Sequence, residues 1–268
     1  MLLWIAPLII AAAIAAAVAT RLFVRSRMPD NGWFVDSSRA DTYMSVLGTM
    51  FAVMLAFVIL FSLQTYQHAR EGASREAIAV AELHVIAEVL GGEPGERLHG
   101  DLNCYARAVI SDEWPAMRNG TSSQVVQSWV NTMAHDFTAA NPVGAKQEVA
   151  YAQWFDEQAQ RREGRRERLA EATPSVPLPL WIVLGIGAIA ILAYMCVQAD
   201  RRESALIQAI PIGLVAALVA AGLIVVFALD HPYGNWSGSI KPTEMERSLA
   251  TFEQDHLAPC DERGHPNS

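Results

Sequence analysis

Residues 43–66, YMSVLGTMFAVMLAFVILFSLQTY, contain no Asp, Glu, Lys or Arg. A helix rises about 1.5 Å per residue, so about 20 residues span the roughly 30 Å hydrocarbon layer of a bilayer. Core helices of soluble proteins seldom stay uncharged beyond about 14 residues. This stretch therefore predicts a transmembrane helix.

Three further windows also lack charged residues: 2–20, 173–199 and 204–229. The chain is 52% hydrophobic and 18% charged, and its apolar residues are concentrated in these four blocks. A cleaved signal peptide is an alternative for the first window, but its arginines follow the apolar run instead of preceding it. The sequence thus predicts an all-α membrane protein with four transmembrane helices.

The spacing of these windows predicts a helical insert between the second and third transmembrane helices. We expect four parts: residues 1–66 with the first two spans and a short basic loop, an extramembrane domain at 67–172, the last two spans at 173–229, and an elbow with a polar tail at 230–268. Within the insert, Thr121 and Gln124 form a capping-box pattern that predicts a helix start.

Two sets of apolar residues in the insert recur every three or four positions and predict the buried faces of helices. The first set is Leu98, Leu102, Tyr105 and Val109, and the second is Val126, Val130, Met133 and Phe137. The segment after the second span also contains almost no helix breaker before Gly91. We therefore expect the second span to continue outward as one long rod.

Arginines in the two short connections predict the orientation of the chain. They are Arg21, Arg25, Arg27 and Arg39 in one connection, and Arg201 and Arg202 in the other. Short arginine-rich loops stay cytoplasmic, whereas long segments translocate largely regardless of charge. The insert and the tail are therefore expected on the extracytoplasmic side of the cell membrane, although five arginines within residues 161–168 weaken this argument.

The three cysteines have different expected roles. Cys196 lies inside the third predicted span, where a free thiol packs as a small apolar group. Cys104 and Cys260 both fall in segments assigned to the outside, where a disulfide persists if the compartment is oxidising. The sequence leaves open whether these two residues form a disulfide or remain unrelated thiols, because it does not give the separation of their Cα atoms.

Met50, Met54, Phe57 and Phe61 form a stripe on the second predicted span, at spacings of four, three and four. Around an oligomer axis, such a stripe makes an apolar constriction that gates a pore by dewetting. Packing against neighbouring helices is the commoner role of a stripe of this kind. No span contains Asp, Glu, Lys, Arg or His, so the usual residues of proton relays and charge-coupled transport are missing.

The stretch LDHPYGNWSGSI, residues 229–240, directly follows the fourth predicted span. Asp230 lies at the carboxyl end of that helix, where the helix dipole repels an anion, so it needs a cationic or hydrogen-bonding partner. Arg70 and Arg168 are the arginines expected nearby. We interpret the stretch as a structural elbow formed by Asp230, Pro232, Tyr233, Gly234 and Gly238.

Other classes of function find little support. No H-E-x-x-H, G-x-S-x-G or glycine-rich phosphate loop is present, so we expect neither an enzyme nor a bound cofactor. His256, Cys260 and His265 are interpreted as solvated tail residues, and no metal site is predicted. A net charge of −8 argues against a nucleic-acid partner.

Five motifs in a fixed order resemble the bestrophin-like family of bacterial membrane proteins. They are RSRMPDN (25–31), SSRAD (37–41) before LGTMFAVMLAFVILFSLQTYQHAR (47–70), DEWPAM (112–117), RLAEATPSVPLP (168–179) and LDHPYGNWSGSI (229–240). The NWSG insertion after Tyr233, together with Cys104 and Cys260, departs from the family pattern. The resemblance implies kinship with pentameric anion channels whose large insert is cytoplasmic, which conflicts with the orientation derived from the arginines.

Two functions therefore remain open. The first is a homo-oligomeric channel in the lipid membrane, with the second span lining a pore for a small ion. The second is a membrane anchor for an extracytoplasmic helical domain that senses conditions or binds a partner. The stripe and the family resemblance favour the channel.

Overall fold

The computed structural model describes residues 2–27, 37–198, 204–252 and 258–267, and the regular elements within these ranges are helices. The first half contains α1 (Leu2–Arg27), α2 (Ser37–Leu90), α3 (Gly92–Ala108), a π-helical turn (Val109–Glu113) and α4 (Trp114–Met117). The second half contains α5 (Gln124–Thr138), α6 (Ala145–Ala170), α7 (Leu178–Val197), α8 (Ala205–Leu229) and α9 (Thr243–Phe252). The all-α prediction is confirmed.

Four helices are long and apolar enough to cross a membrane, namely α1, α2, α7 and α8. Their length and composition confirm the four predicted apolar helices. Helix α2 has 54 residues and is one uninterrupted rod, as expected. At 1.5 Å per residue it is about 80 Å long, more than twice the thickness of a hydrocarbon layer. Much of α2 therefore extends beyond any bilayer that it crosses.

The chain forms two compact units. The apolar unit comprises Met1–Gln64, Pro174–Asp230 and Asn235–Gly238, and the polar unit comprises Thr65–Thr173, His231–Gly234 and Ser239–Ser268. Helix α2 contributes its first part to the apolar unit and its second part to the polar unit. Each unit has a hydrophobic core of its own.

In the apolar unit, α1 packs along α8, and Arg21 connects three helices. Arg21 donates a hydrogen bond to the carbonyl oxygen of Met195 near the end of α7, and Nη2 donates to Gln208 Oε1 of α8 at 3.4 Å. The residues that flank segments 28–36 and 199–203 therefore lie at one end of this unit. Among the arginines used to predict orientation, Arg201 and Arg202 lie outside the described residues, as does the side chain of Arg39.

The core of the polar unit is formed by both predicted apolar faces. Leu98, Leu102, Tyr105 and Val109 are completely buried, and Val126, Met133 and Phe137 are buried beside them. Phe137 stacks on Tyr151 and Trp154 of α6, with ring centroids 4.4 and 5.0 Å apart. The helical periodicity of the insert is thus confirmed.

The start of α5 differs from the capping-box prediction. Ser123 is the N-cap, and its side-chain oxygen accepts hydrogen bonds from the backbone N–H groups of Val125 and Val126. Thr121 instead donates its hydroxyl hydrogen to the carbonyl oxygen of Ala116, 3.0 Å away. The prediction was therefore wrong by two residues. The Thr121 hydroxyl bonds to a carbonyl group near the end of α4, and Ser123 caps α5 instead.

Glycines bring α2 and α6 into backbone contact in the polar unit. A Cβ atom at Gly72 would lie 3.0 Å from the carbonyl oxygen of Gly164, and one at Gly164 would lie 2.5 Å from the backbone nitrogen of Glu76. These distances leave no room for a side chain at either glycine. The contact brings together Glu76 and Arg168, each of which lies one turn after a contacting glycine.

Candidate functional site

The predicted stripe of α2 is only partly exposed in the apolar unit. Met50, Phe57 and Phe61 are 69%, 68% and 47% exposed. Met54 is half-buried and packs against the core cluster that contains Phe51 and Leu184. Three of the four candidates therefore lie on a free face of α2, and the fourth packs within the unit.

The exposed face of α2 has a seven-residue repeat. Met50, Phe57, Gln64, Glu71, Ile78 and Val85 are separated by seven residues each, and all six are exposed. Gln64 and Glu71 interrupt the apolar character of this face. The repeat therefore marks a surface that points away from the core of the protomer, and this surface is not apolar throughout.

A buried network of charged side chains lies in the polar unit, with Arg168 at its centre. The guanidinium of Arg168 donates to both oxygens of Glu76, at 2.5 Å from Nε and 2.9 Å from Nη2. Nη2 also donates to Glu113 Oε2 at 2.6 Å. All three side chains have no exposed surface. Arg168 therefore joins α6 to α2 and to the π turn.

Two more arginines of α6 extend the network in opposite directions. Arg165 donates to both oxygens of Glu113, at 2.7 Å from Nη2 and 3.2 Å from Nε. On the other side, the Tyr105 hydroxyl donates to Glu76 Oε1 at 2.5 Å. Arg161 Nη1 donates to that hydroxyl oxygen at 3.1 Å. From Glu76 to Arg165 the groups thus alternate between negative and positive, and the neutral hydroxyl of Tyr105 links Arg161 to Glu76.

Burial and pairing shift the pKa values of these groups. Burial alone raises the pKa of Glu113, but the adjacent Arg168 and Arg165 outweigh it and hold this pKa below its usual value. Burial lowers the pKa of Arg168, but Glu76 and Glu113 outweigh it and raise this pKa above the usual arginine value. Burial, followed by the negative charge of Glu76, raises the pKa of Tyr105, so its hydroxyl remains a hydrogen-bond donor.

Sequence inspection missed this network. The run RREGRRER suggests a solvated charged helix, but Arg161 and Arg168 are almost completely buried. The available signal was spacing, because Arg161, Arg165 and Arg168 share a helical face with Gly164. Their acidic partners come from α2 and from the π turn, and a π turn is a feature frequently found at functional sites.

A second buried acid lies between α3 and α5. Asp101 is 3% exposed, and burial together with the neighbouring carboxylate of Asp136 raises its pKa to about 7. Arg97 lies 3.6 Å from Asp136 and lowers the Asp101 pKa by a smaller amount. The raised pKa thus comes from burial and from the nearby negative charge of Asp136.

The predicted elbow divides between the two units. In the apolar unit, Asp230 is buried, and its Oδ1 accepts hydrogen bonds from the backbone N–H groups of Ser175 and Val176 at 2.7 and 2.9 Å. The hydrogen-bonding partners expected for Asp230 are thus two backbone amides. Arg168, which was expected near Asp230, binds Glu76 instead.

The remaining elbow residues form a tight turn. The Tyr233 hydroxyl donates to the carbonyl oxygen of Ala69 at 2.9 Å, and the carbonyl oxygen of Pro232 accepts from the backbone N–H of Ile240 at 2.8 Å. Gly234 donates its backbone N–H to the carbonyl oxygen of His231 at 3.1 Å. A Cβ atom at Gly238 would collide with the ring of Trp236 at 2.1 Å. Close approach, and not a positive φ, explains this glycine.

Cys104 of α3 and Cys260 of the tail form a disulfide, with Cα atoms 5.8 Å apart. The tail is also held by Trp129, whose Nε1 donates to the carbonyl oxygen of Gly264 at 2.6 Å. Gly264 has a φ of +78°, and a Cβ atom there would lie 2.4 Å from the backbone nitrogen of Ala108. The sequence left the state of the two thiols open, and the structure contains the bond.

The described residues contain no group of three or more His, Cys, Asp or Glu side chains that could hold a metal ion. His256 lies outside the described ranges. Cys260 is bonded to Cys104, and His265 Nε2 lies 3.1 Å from Asp112 Oδ2. The interpretation of Cys260 as a solvated tail residue was therefore wrong, because Cys260 is buried in the disulfide with Cys104. His265 also contacts the helices, through Asp112.

A family model for the bestrophin-like domain matches residues 6–240. The chain belongs to the bestrophin-like family. The resemblance based on the order of the sequence motifs is thereby confirmed. The matched range includes most of α1, all of α2, α7 and α8, and the buried network, and it ends before Cys260. A search of curated proteins found no significant match.

Solved structures share the bestrophin-like fold at low sequence identity. A structure described as that of a membrane protein has 14% identity and a TM-score of 0.71, and it aligns over 92% of this chain and 100% of its own. A mutant of a bacterial bestrophin homologue from Klebsiella pneumoniae has 12% identity and a TM-score of 0.70, over 92% of this chain and 99% of its own. At this identity, the likeness shows the fold alone.

Proposed function

We propose that the protein is a homo-oligomeric anion channel of the cell membrane whose pore is lined by α2. Membership of the bestrophin-like family is the observation that carries this proposal. The four long apolar helices support residence in the lipid.

The exposed face of α2 supports its role as the pore helix. Within the apolar window, the large side chains on this face are left uncovered by the protomer and are available to neighbouring copies. Met50, Phe57 and Phe61 face out of the protomer. Met54 is half-buried, and the neighbouring Val53, which is 50% exposed, lies on the exposed face instead. A ring of such apolar side chains makes a constriction that gates small ions by dewetting.

The chemistry of the spans favours passive conduction. Residues 43–66 contain no Asp, Glu, Lys, Arg or His, the residues that usually relay protons at membrane depth. The pore would select by width and by hydration of the ion. The sign of the permeant ion is inferred from the kinship with anion channels that the family resemblance implies, so we expect a small monovalent anion.

Planar-bilayer recordings of the purified protein test conduction. We expect anion currents, and we expect Phe57→Ala and Phe61→Ala to change the conductance because they widen the apolar constriction. Leu218→Ala in α8 is the matched control, since Leu218 is 72% exposed but lies outside the proposed pore helix. Silent bilayers with folded, oligomeric protein would contradict the channel.

We also propose that the polar unit and the tail are extracytoplasmic. Arg21, Arg25 and Arg27 near the end of α1 favour a cytoplasmic location for that end. The Cys104–Cys260 disulfide supports the same orientation, because disulfides persist in oxidising compartments. This orientation is opposite to the cytoplasmic insert that the family kinship implies.

Labelling of intact cells tests the orientation. In a Cys196→Ala background, a membrane-impermeant maleimide should label Ser122→Cys, which is exposed in the polar unit, and should not label Ser26→Cys at the end of α1. Opening the cells should make both positions reactive. The reverse labelling pattern in intact cells would place the polar unit in the cytoplasm.

A membrane-anchored scaffold is the second candidate. The polar unit has its own core, and Ile78, Val85 and Val149 leave apolar surface exposed by 58%, 54% and 58%. Such side chains suit a protein partner. A photo-crosslinker at Val149 that captures a different protein in cells, combined with silent bilayers, would favour the scaffold over the channel.

A further inference from the structure

A cavity with a basic rim lies in the polar unit, between α2 and the start of α9. Its volume is about 370 Å³, which is within the range of clefts that bind small ligands. The charged residues that line it are Arg70 of α2, Lys241 just before α9, and Glu244 and Arg247 of α9. Three cations and one carboxylate give this lining a net charge of +2.

Two of these cations have no carboxylate partner among the residues that the structure describes. Arg247 Nη1 lies 2.8 Å from Glu244 Oε1, so these two side chains form an ion pair. Arg70 and Lys241 make no such pair within the described ranges, and both side chains are exposed. The excess positive charge of the cavity therefore resides at Arg70 and Lys241, where an anionic ligand can reach it.

The opposite wall of the cavity is apolar. It contains Trp114, Ile240 and Met245, which are buried members of the core of the polar unit. The Trp114 indole N–H donates to the carbonyl oxygen of Ile240 at 3.2 Å and connects the π turn to the segment before α9. A basic rim beside an apolar wall suits an anionic group that is attached to a carbon skeleton.

The position of the cavity along α2 matches the depth of lipid headgroups. Tyr66, the last residue of the uncharged window 43–66, lines the cavity, and Arg70 is the first Asp, Glu, Lys or Arg after that window. At 1.5 Å per residue, Arg70 lies about 6 Å beyond Tyr66 along the helix axis. The headgroup layer on each side of a bilayer is roughly 5–7 Å thick. A helix whose hydrocarbon span ends at Tyr66 thus has Arg70 among the lipid phosphates.

We propose that this cavity binds an anionic phosphate group that is supplied by a phospholipid headgroup. Arginine donates charge-assisted, bidentate hydrogen bonds to phosphate oxygens, and lysine adds a point charge. Because Arg70 belongs to α2 and Lys241 to the segment before α9, one phosphate bound by both would hold α9 against α2. This binding rests on the location of α2 in a lipid membrane and does not depend on conduction.

Thermal unfolding of the purified chain in detergent tests the site. Phosphatidylglycerol, which is anionic, should raise the Tm by about 3–6 °C at about tenfold its dissociation constant. Phosphatidylcholine, whose net charge is zero, should not. The double variant Arg70→Gln/Lys241→Gln should bind phosphatidylglycerol roughly thirtyfold more weakly, since each basic residue near a lipid surface contributes about a factor of five. At the same lipid concentration it should lose most of the rise.

The matched control is Lys146→Gln/Arg162→Gln, which removes the same charge from exposed positions of α6 outside the cavity. It should keep the full rise. Equal rises in the two double variants, or no rise in the parent protein, would overturn the site. Sodium phosphate and sodium chloride at equal ionic strength distinguish the source of the phosphate. A rise in sodium phosphate that only the cavity variant loses would assign the site to free phosphate and overturn the lipid.

A second measurement decides the question if the cavity variant fails to fold. It is a cryo-EM map of the parent protein in phosphatidylglycerol nanodiscs. Phosphate density within hydrogen-bonding distance of Arg70 and Lys241 supports the proposal. An empty cavity in a map that resolves both side chains refutes it.

Discussion

Glu113 illustrates how a single buried carboxylate joins distant parts of the polar unit. It accepts hydrogen bonds from Arg165 and Arg168 of α6, and its Oε1 also accepts from the backbone N–H of Ser123 at 3.3 Å. The first turn of α5 and the last third of α6 thus depend on the same side chain. Removing its charge leaves two buried guanidinium groups with too little compensation.

We predict that Glu113→Gln lowers the free energy of unfolding by about 3–5 kcal/mol. Glu163→Gln breaks the exposed pair with Arg166 and should cost at most about 1 kcal/mol. Urea unfolding in detergent measures both changes. Equal losses of unfolding free energy in the two variants would show that the buried ion pairs of Glu113 stabilise the protein no more than an exposed ion pair does.

The lowered pKa of Glu113 also sets the direction of its pH dependence. A carboxylate whose pKa is lower in the folded state stabilises the protein above its unfolded pKa. This contribution is lost as the pH falls through the folded value. We therefore expect the stability difference between the parent and Glu113→Gln to shrink in acid.

Asp101 should show the opposite pH dependence. Its pKa is raised from 3.8 to about 7, so between these values the folded protein holds a proton that the unfolded chain releases. Asp101 therefore lowers the free energy of unfolding as the pH rises from 3.8 to about 7, and this destabilisation is complete above about pH 7. We predict that Asp101→Asn raises the Tm at about pH 8 and has less effect at about pH 5.

Asp156→Asn, at an exposed position of α6, is the control and should change the Tm at neither pH. Differential scanning calorimetry at the two pH values gives the comparison. If the Tm of Asp101→Asn equals that of the parent protein at both pH values, the raised pKa of Asp101 is contradicted.

At the scale of elements, the contact between α2 and α6 depends on two glycines. The Cβ atom of an alanine at position 164 would lie 2.5 Å from the backbone nitrogen of Glu76 and 2.8 Å from the carbonyl oxygen of Gly72. Both are backbone atoms, so neither can move aside by a rotamer change. The helices would have to separate, and the pairing of Arg168 with Glu76 would weaken.

We predict that Gly164→Ala destabilises the protein by about 1–3 kcal/mol. Gly48→Ala on α2 is the matched control, because nothing lies within 4 Å of the added methyl group. Alanine favours a helix over glycine by about 1 kcal/mol, so the control should be neutral or stabilising. Thermal unfolding in detergent separates the two, and a neutral Gly164→Ala would contradict the close contact.

Sequence reasoning predicted different elements with different success. The apolar helices were predictable because length and lack of charge suffice to mark them. The faces of α3 and α5 were predictable from local periodicity. The buried side of RREGRRER was not, because its carboxylate partners, Glu76 and Glu113, are 92 and 55 residues from Arg168. The same holds for Asp230, whose partners are backbone amides more than 50 residues earlier.

At the scale of the whole molecule, the two units suit different environments. The apolar unit exposes large aliphatic side chains on α7 and α8, including Ile189 and Leu218 at 70% and 72%. A lipid phase is the environment in which such surfaces are stable. The polar unit instead buries its charges in a paired network and holds its tail by a disulfide. This division fits one part of the chain in lipid and another part in water.

Cysteine accessibility in a conducting bilayer tests the role of α2 most directly. Phe57→Cys and Leu218→Cys, each in a Cys196→Ala background, replace side chains that are 68% and 72% exposed in the protomer. If α2 lines an aqueous pore, a water-soluble thiol reagent should block the current of Phe57→Cys and leave that of Leu218→Cys unchanged. Currents that respond equally in both variants, or in neither, would contradict a pore lined by α2.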